Sequence, residues 1–197
     1  MVKMPEVRAN PPPSRDRMLE AAIDLMRGFG LAGAGINDIV RQSGAPKGSV
    51  YHFFPGGKLQ IAGEALAVYA GRVEAFIDEA LAGRRSNPER VRALFEAFAA
   101  RAEQNDFRRS CAVGTVSLDL GDDAEPLRPW LVSALESWLR VIEHHIDLGD
   151  ARRTRSFASL VLTVIEGAYV RARAEGHSRA FREAGAWLAP LASQAGA

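Results

Sequence analysis

The chain has 197 residues, of which 47% are hydrophobic and 25% charged, with a formal net charge of +1. This is an ordinary globular balance, long enough for one sizeable core or two small ones. It excludes a collagenous or low-complexity chain, and no run approaches the roughly 18 to 20 apolar residues of a membrane span. The opening MVKMPEVRANPPPSRDR has no apolar h-region, so no secretory leader is expected. The single cysteine, Cys111, rules out an intramolecular disulfide and fits a reducing cytoplasm. Residues 1–60 carry eight Lys/Arg and five Asp/Glu, a net of +3, whereas the rest carries −2. That asymmetry permits a nucleic-acid-facing N-terminal part without requiring one.

Taken in chain order, a proline-bearing lead-in over 1–11 is expected to be flexible. Met18, Leu19, Ala22, Ile23, Leu25, Met26 and Phe29 then make an amphipathic stripe, predicting a helix from Ser14 to Phe29. Ser14 can cap it and Gly28 or Gly30 can end it. A short helix follows from Ile36 to Ser43, and another from Lys47 to Phe54. A long helix is predicted from Lys58 to Ala82, another from Pro88 to Gln104, and a further one over 108–119, with a loop at Gly121-Asp122-Asp123. Leu127 to Ile146 carries a long apolar stripe ended by Gly149-Asp150. Phe157 to Ala172 repeats at i, i+3, i+4 and i+7, and a last helix runs from Ser178 to Leu191. No alternation bounded by hairpin turns appears. The chain reads as all-α, with about nine helices.

Two short helices joined by Gly44-Ala45-Pro46 fit a helix-turn-helix, although spacing alone fits an αα-hairpin inside a bundle as well. Gly44 suits the left-handed position that ends the first helix, and Pro46 the first turn of the second. Lys47, Gly48 and Ser49 then lie at the end of that helix that meets base edges and phosphates, Gly48 allowing the backbone to come close. Tyr51 and His52 can donate to phosphates, and Phe53 and Phe54 pack inward. Lys58 opens the next helix, whose free N–H groups favour phosphate. Arg15 and Arg17 read as solvated or as reaching the backbone.

Residues 15–58 resemble the DNA-binding domain of the tetracycline-repressor (TetR) family. The matching pieces are Met18-Leu19-Glu20-Ala21-Ala22, Leu25-Met26, Phe29-Gly30, Asp38-Ile39-Val40, Ser43-Gly44, Lys47 through Phe54, and Lys58. The Phe-Pro-Gly-Gly-Lys ending and Ser110-Cys111-Ala112-Val113 are similar to its LmrA/YxaF-like branch. Gly35 stands where the family usually has Ser or Thr, so one phosphate contact is missing or passes to Asn37. The resemblance implies a DNA-binding domain over 12–72, with Asn37, Ala45, Pro46, Lys47, Gly48, Ser49, Tyr51, His52 and Lys58 at the DNA. It implies a ligand-binding and dimerisation bundle over 73–197.

Within that bundle, Trp130 and Trp138 with Tyr69, Phe95 and Phe98 are candidates for the wall of an apolar cavity, the alternative being plain core packing. Cys111 reads as a small buried residue or a sensing thiol, and Glu166 as a pocket carboxylate for a cationic ligand or a solvent-facing residue. Gly167, Ala168, Ala172, Ala184 and Gly185 are small enough for close approach of a second copy, with Phe157, Val161 and Trp187 adding apolar area. His144 and His145 are adjacent and diverge on a helix, so no metal site is expected, and no cofactor. The function expected is a homodimeric regulator, a repressor released from double-stranded operator DNA by a small apolar or aromatic effector. The helix from Lys58 to Ala82, linking both regions, is expected to carry the motion. The alternative is a TetR-like binding protein or enzyme that has lost DNA binding, for which Gly35 is the sequence support.

Overall fold

The computed structural model describes residues 13–83 and 86–193. The lead-in expected over 1–11 lies outside them. Among the described residues there are nine α-helices, two short 3-10 segments and no strand. No helix there is long and apolar enough to cross a membrane.

Helix α1 spans Ser14–Phe29 and α2 spans Ile36–Ser43, as the stripes predict. Gly44, at φ 62°, ends α2 in the left-handed region, and its N–H closes on the Val40 carbonyl at 3.1 Å. The second member of the pair is not one helix. Lys47–Ser49 is a 3-10 turn and α3 is only Val50–Phe53. Pro46 precedes that turn, and the N–H and hydroxyl of Ser49 both go back to the Pro46 carbonyl, at 3.0 and 2.6 Å.

The long α4 spans Gly57–Leu81, so the boundary expected at 72/73 falls inside one continuous helix. Helix α5, Asn87–Glu103, starts at a capping box between Ser86 and Glu89. Helix α6 covers only Ala112–Leu118, shorter than the 108–119 that apolar spacing suggests. Upstream, Asp106 and Phe107 have positive φ, and Arg109 and Ser110 are engaged with α1 instead. The expected loop at 121–123 is the start of a 3-10 segment, Asp122–Leu127. Helices α7, Arg128–His145, α8, Ala151–Glu175, and α9, Arg179–Leu191, complete the chain.

One continuous core joins the N-terminal helices to the bundle, with Met18, Met26, Ile39 and Phe54 fully buried at one end and Ile77, Phe95, Trp138 and Phe181 at the other. Helix α9 lies on α5 at very close range. A Cβ on Gly185 would stand 2.7 Å from the Phe95 Cβ. Gly185→Ala should therefore overpack this contact and destabilise the fold by about 1–3 kcal/mol, read as a lower melting temperature. An unchanged melting temperature would show that α9 is free to lift from α5.

Candidate nucleic-acid interface and ligand cavity

The α2–turn–α3 segment turns most of its expected contact residues outward. Asn37, Pro46, Lys47, Gly48, Tyr51 and His52 are exposed and Ser49 is half-buried. Ala45 differs from the others: its side chain is buried in the core and its N–H donates to the Ser43 hydroxyl at 3.3 Å, so it is not turned outward. Gly48 is a glycine that its own fold does not need. A Cβ there would meet nothing within 4 Å, and its φ is not positive. Lys58 is half-buried in a surface cleft of about 710 Å³ that also contains Asp119, Asp122 and Asp123, a more acidic setting than an open helix end. Arg15 pairs with Glu64 and lies over the Phe54 ring, and Arg17 donates to the Ser43 carbonyl at 3.0 Å, so both serve the fold.

The last turn of α1 is where this unit meets the bundle. A helix leaves its final four carbonyls without intrahelical partners. Here the Met26 carbonyl accepts from the Thr115 hydroxyl of α6 at 2.8 Å as well as from the Gly30 N–H at 2.9 Å. The Arg27 carbonyl accepts from the Ser110 N–H at 3.0 Å, and the Gly28 carbonyl from the Arg173 guanidinium of α8 at 2.6 Å. Only Phe29 is capped locally alone, by the Gly33 N–H at 3.3 Å. The Arg27 guanidinium returns to the Ser110 carbonyl at 3.0 Å, and Arg109 forks onto Asp24, whose carboxyl it holds below the usual range. Cationic side chains beside a helix C-terminus also match its partial negative charge.

The aromatic residues expected to wall a cavity mostly do not. Tyr69, Phe95, Phe98 and Trp138 are buried core. The Trp138 indole donates to the Ala70 carbonyl at 3.0 Å and meets Tyr69 edge to face. Phe98 packs edge to face on Phe76 and Tyr169. Trp130 is 42% exposed, because eight residues carry a helix about 80° beyond two full turns. The dimer candidates divide in the same way. Phe157, Val161, Ala168, Ala172 and Gly185 face the chain's own core, Ala184 is half-buried, and Gly167 and Trp187 face outward. The outer stripe of α8 is Ser156, Leu160, Thr163, Gly167 and Val170, beside Trp187 and Leu191 of α9. Helix α8 is apolar on both sides, so periodicity alone does not separate its core face from its outer face. His145 donates from Nε2 to the Asp78 carboxylate at 2.7 Å.

A cavity of about 370 Å³ does exist, between α6, α7 and α8. Its walls include Cys111, Val113, Gly114, Leu118, Leu135, Glu166, Tyr169 and Val170. Two sequence candidates, Cys111 and Glu166, thus come together, whereas Tyr169, Leu135 and Leu118 were not singled out. The Cys111 thiol lies beside the Glu166 carboxyl. Burial first, and the Glu166 charge second, push the thiol well above its ordinary pKa, so it is neutral rather than a reactive thiolate. Burial also raises the Glu166 carboxyl above the ordinary carboxylate range, against a smaller opposing effect of the nearby Cys111 thiol. Gly114 makes room for it, since a Cβ there would lie 2.3 Å from Oε2. Tyr169, also raised by burial, stays neutral beside it.

A carboxyl with a raised folded-state pKa favours folding when protonated, and that contribution is lost as pH climbs through the raised value. Below the ordinary carboxylate range Glu166 is neutral folded or unfolded. Glu166→Gln, neutral throughout, should match the parent's melting temperature near about pH 4 and exceed it near about pH 8. Equal melting at both would mean the carboxylate is well solvated.

Comparison with known proteins agrees with this architecture. Residues 18–65 match the model for bacterial regulatory proteins of the tetR family, and residues 88–186 match the transcriptional regulator LmrA/YxaF-like C-terminal domain. An HTH-type transcriptional regulator of Mycobacterium tuberculosis, Rv0196, is 34% identical over 170 residues, covering 81% of this chain and 84% of the relative. The HTH-type transcriptional regulator LmrA of Bacillus subtilis is 30% identical over 156 residues, covering 78% and 83%. Among solved structures, the regulatory protein TetR from Rhodobacter sphaeroides superimposes with a TM-score of 0.78 at 22% identity, over 90% of this chain and 97% of that one. A cysteine-substituted form of the TetR-family regulator CifR, complexed with 26-bp double-strand operator DNA, also gives 0.78 at 23% identity, over 92% and 98%. The chain belongs to the TetR family of transcriptional regulators, in its LmrA/YxaF-like branch, and is a DNA-binding regulator rather than an enzyme.

Proposed function

We propose that this regulator is a homodimeric repressor that binds a pseudo-palindromic operator and leaves it when a small molecule occupies the cavity between α6, α7 and α8. The observation that carries the DNA-contact assignment is Gly48, whose missing side chain serves no contact or backbone angle of its own fold. An approaching phosphate or base edge gives it a purpose, between the exposed Lys47 and Tyr51. The 26-bp operator of CifR exceeds two turns of about 10–10.5 bp, the length two recognition elements need. For assembly, Leu160, Val170, Trp187 and Leu191 form an exposed apolar surface on adjacent helices, the kind of patch that a second copy covers.

The effector reading is supported by position. The cavity is walled by Ser110 and Thr115, the residues that hold the Arg27 and Met26 carbonyls. A molecule that shifts α6 therefore acts on the last turn of α1 with no intermediary, alongside the α4 route expected from the sequence. Gly167 and Val170 belong both to the cavity rim and to the outer stripe of α8, so occupancy and dimer geometry share residues. The ligand shifts a pre-existing equilibrium by its differential affinity for the two states.

Gly48→Ala tests the DNA face. The fold should be unaffected or gain about 0.4–1 kcal/mol from a stiffer unfolded chain. Operator affinity should fall by about 1–3 kcal/mol, the scale of one good contact. Lys47→Ala should weaken binding on all sequences alike and lower the salt slope by about one unit. Full operator affinity in both variants would remove this segment from the interface.

A further inference from the structure

We propose that the effector is an organic cation, a protonated amine on a compact apolar body, and that Glu166 is its counter-ion. This rests on the cavity being the effector seat. At about 370 Å³ the space lies near the lower end of the range of about 300–1,000 Å³ for ligand sites, so the occupant is compact. Val113, Leu118, Leu135 and Val170 give apolar walls and Tyr169 an aromatic one.

The polar groups narrow the choice. The hydroxyls of Thr115 and Ser117 already donate to backbone carbonyls, Ser117 to Val113 at 2.7 Å. Glu166 is the only acidic or basic residue among the described residues of the wall. Elsewhere the chain pairs its partly buried carboxylates with arginine: Asp24 with Arg109, and Glu136 and Glu143 with Arg155. Among the described residues no Lys, Arg or His forms an ion pair with Glu166, and the neighbour of its carboxyl there is the neutral thiol of Cys111. The position is nonetheless built, since Gly114 leaves the space that the carboxylate fills.

Glu166 is half-buried, its carboxyl turned to apolar walls, so part of its hydration is lost without a cationic partner and a bound cation offsets that loss. An anion is repelled, and a neutral molecule leaves the carboxylate either unpaired or forced to take up a proton. Tyr169 adds a ring of the kind that favours cations.

The test uses the full-length dimer and two matched pairs of probes: 2-phenylethylamine against 2-phenylethanol, and 3-phenylpropylamine against 3-phenylpropanol. Binding is read by calorimetry near neutral pH. The parent should bind each amine at least about tenfold more tightly than its alcohol, a gap of about 1.4 kcal/mol. Glu166→Gln, of equal volume, should erase the gap while retaining helicity and the alcohol affinities. Glu166→Asp, which keeps the charge, should restore part of it. Alcohols binding as well as amines, or a preference that survives in Glu166→Gln, would overturn the counter-ion assignment and leave the effector seat standing. Binding of neither series would count against the effector seat itself.

Discussion

The arrangement of this molecule depends on how the C-terminus of α1 is capped. A short DNA-reading unit joined to a bundle only by one continuous helix would be free to swing. Instead, three of the last four carbonyls of α1 are satisfied from the bundle: Met26 by Thr115, Arg27 by Ser110 and Gly28 by Arg173. Leaving the Arg27 and Gly28 carbonyls buried and unpaired would cost about 1–3 kcal/mol each, whereas Met26 keeps its Gly30 N–H, so the unit is held chiefly where Ser110 and Arg173 sit. The donors come from the α6 region and from α8, and those elements also wall the cavity. Two of these donors, Ser110 and Thr115, therefore belong both to the hold on α1 and to the cavity wall.

That coincidence gives the proposed switch a physical path. Ser110 and Thr115 each face two ways, one toward α1 and one toward the cavity. Helix α6 is only seven residues long and has contacts with α1, α4 and α7, so a small displacement of it is felt by all three. Packed interfaces of this kind tend to hold one arrangement or another rather than deform continuously. In the proposed counter-ion role, a cation beside Glu166 adds a bias toward the occupied state.

Much of the fold is legible in the residues. The bounds of α1 and α2 follow from stripes closed by Gly30 and Gly44, and the buried Phe54 from its place at the end of the recognition segment. The exposure of Lys47, Gly48, Tyr51 and His52 follows from the same local pattern. The seam was not legible: Arg27 with Ser110, Met26 with Thr115 and Gly28 with Arg173 lie 83 to 145 residues apart, and single polar residues carry no periodicity. The cavity was only half legible. A stripe of Tyr69, Phe95, Phe98 and Trp138 looks the same whether it walls a space or fills one, and here it fills one. The outer face of α8 escaped because Phe157 and Val161 inside are as apolar as Leu160 and Val170 outside. Glu166, an acid within an apolar helix, was the signal that did point to the cavity.

The most direct test of the account measures whether the seam fixes the reading unit. Spin labels at Asn37→Cys and Arg140→Cys, both exposed positions, would report the distance between α2 and α7 within one chain, diluted with unlabelled protein. The native Cys111 is buried and should escape labelling. With the seam intact, double electron–electron resonance should give one narrow distance distribution. In Thr115→Val combined with Arg173→Leu, which removes two of the three bundle caps, the distribution should broaden or shift while the helices persist. An unchanged centre and width in that variant would contradict the account, and would place the hold on the DNA-reading unit in α4 and the shared core alone.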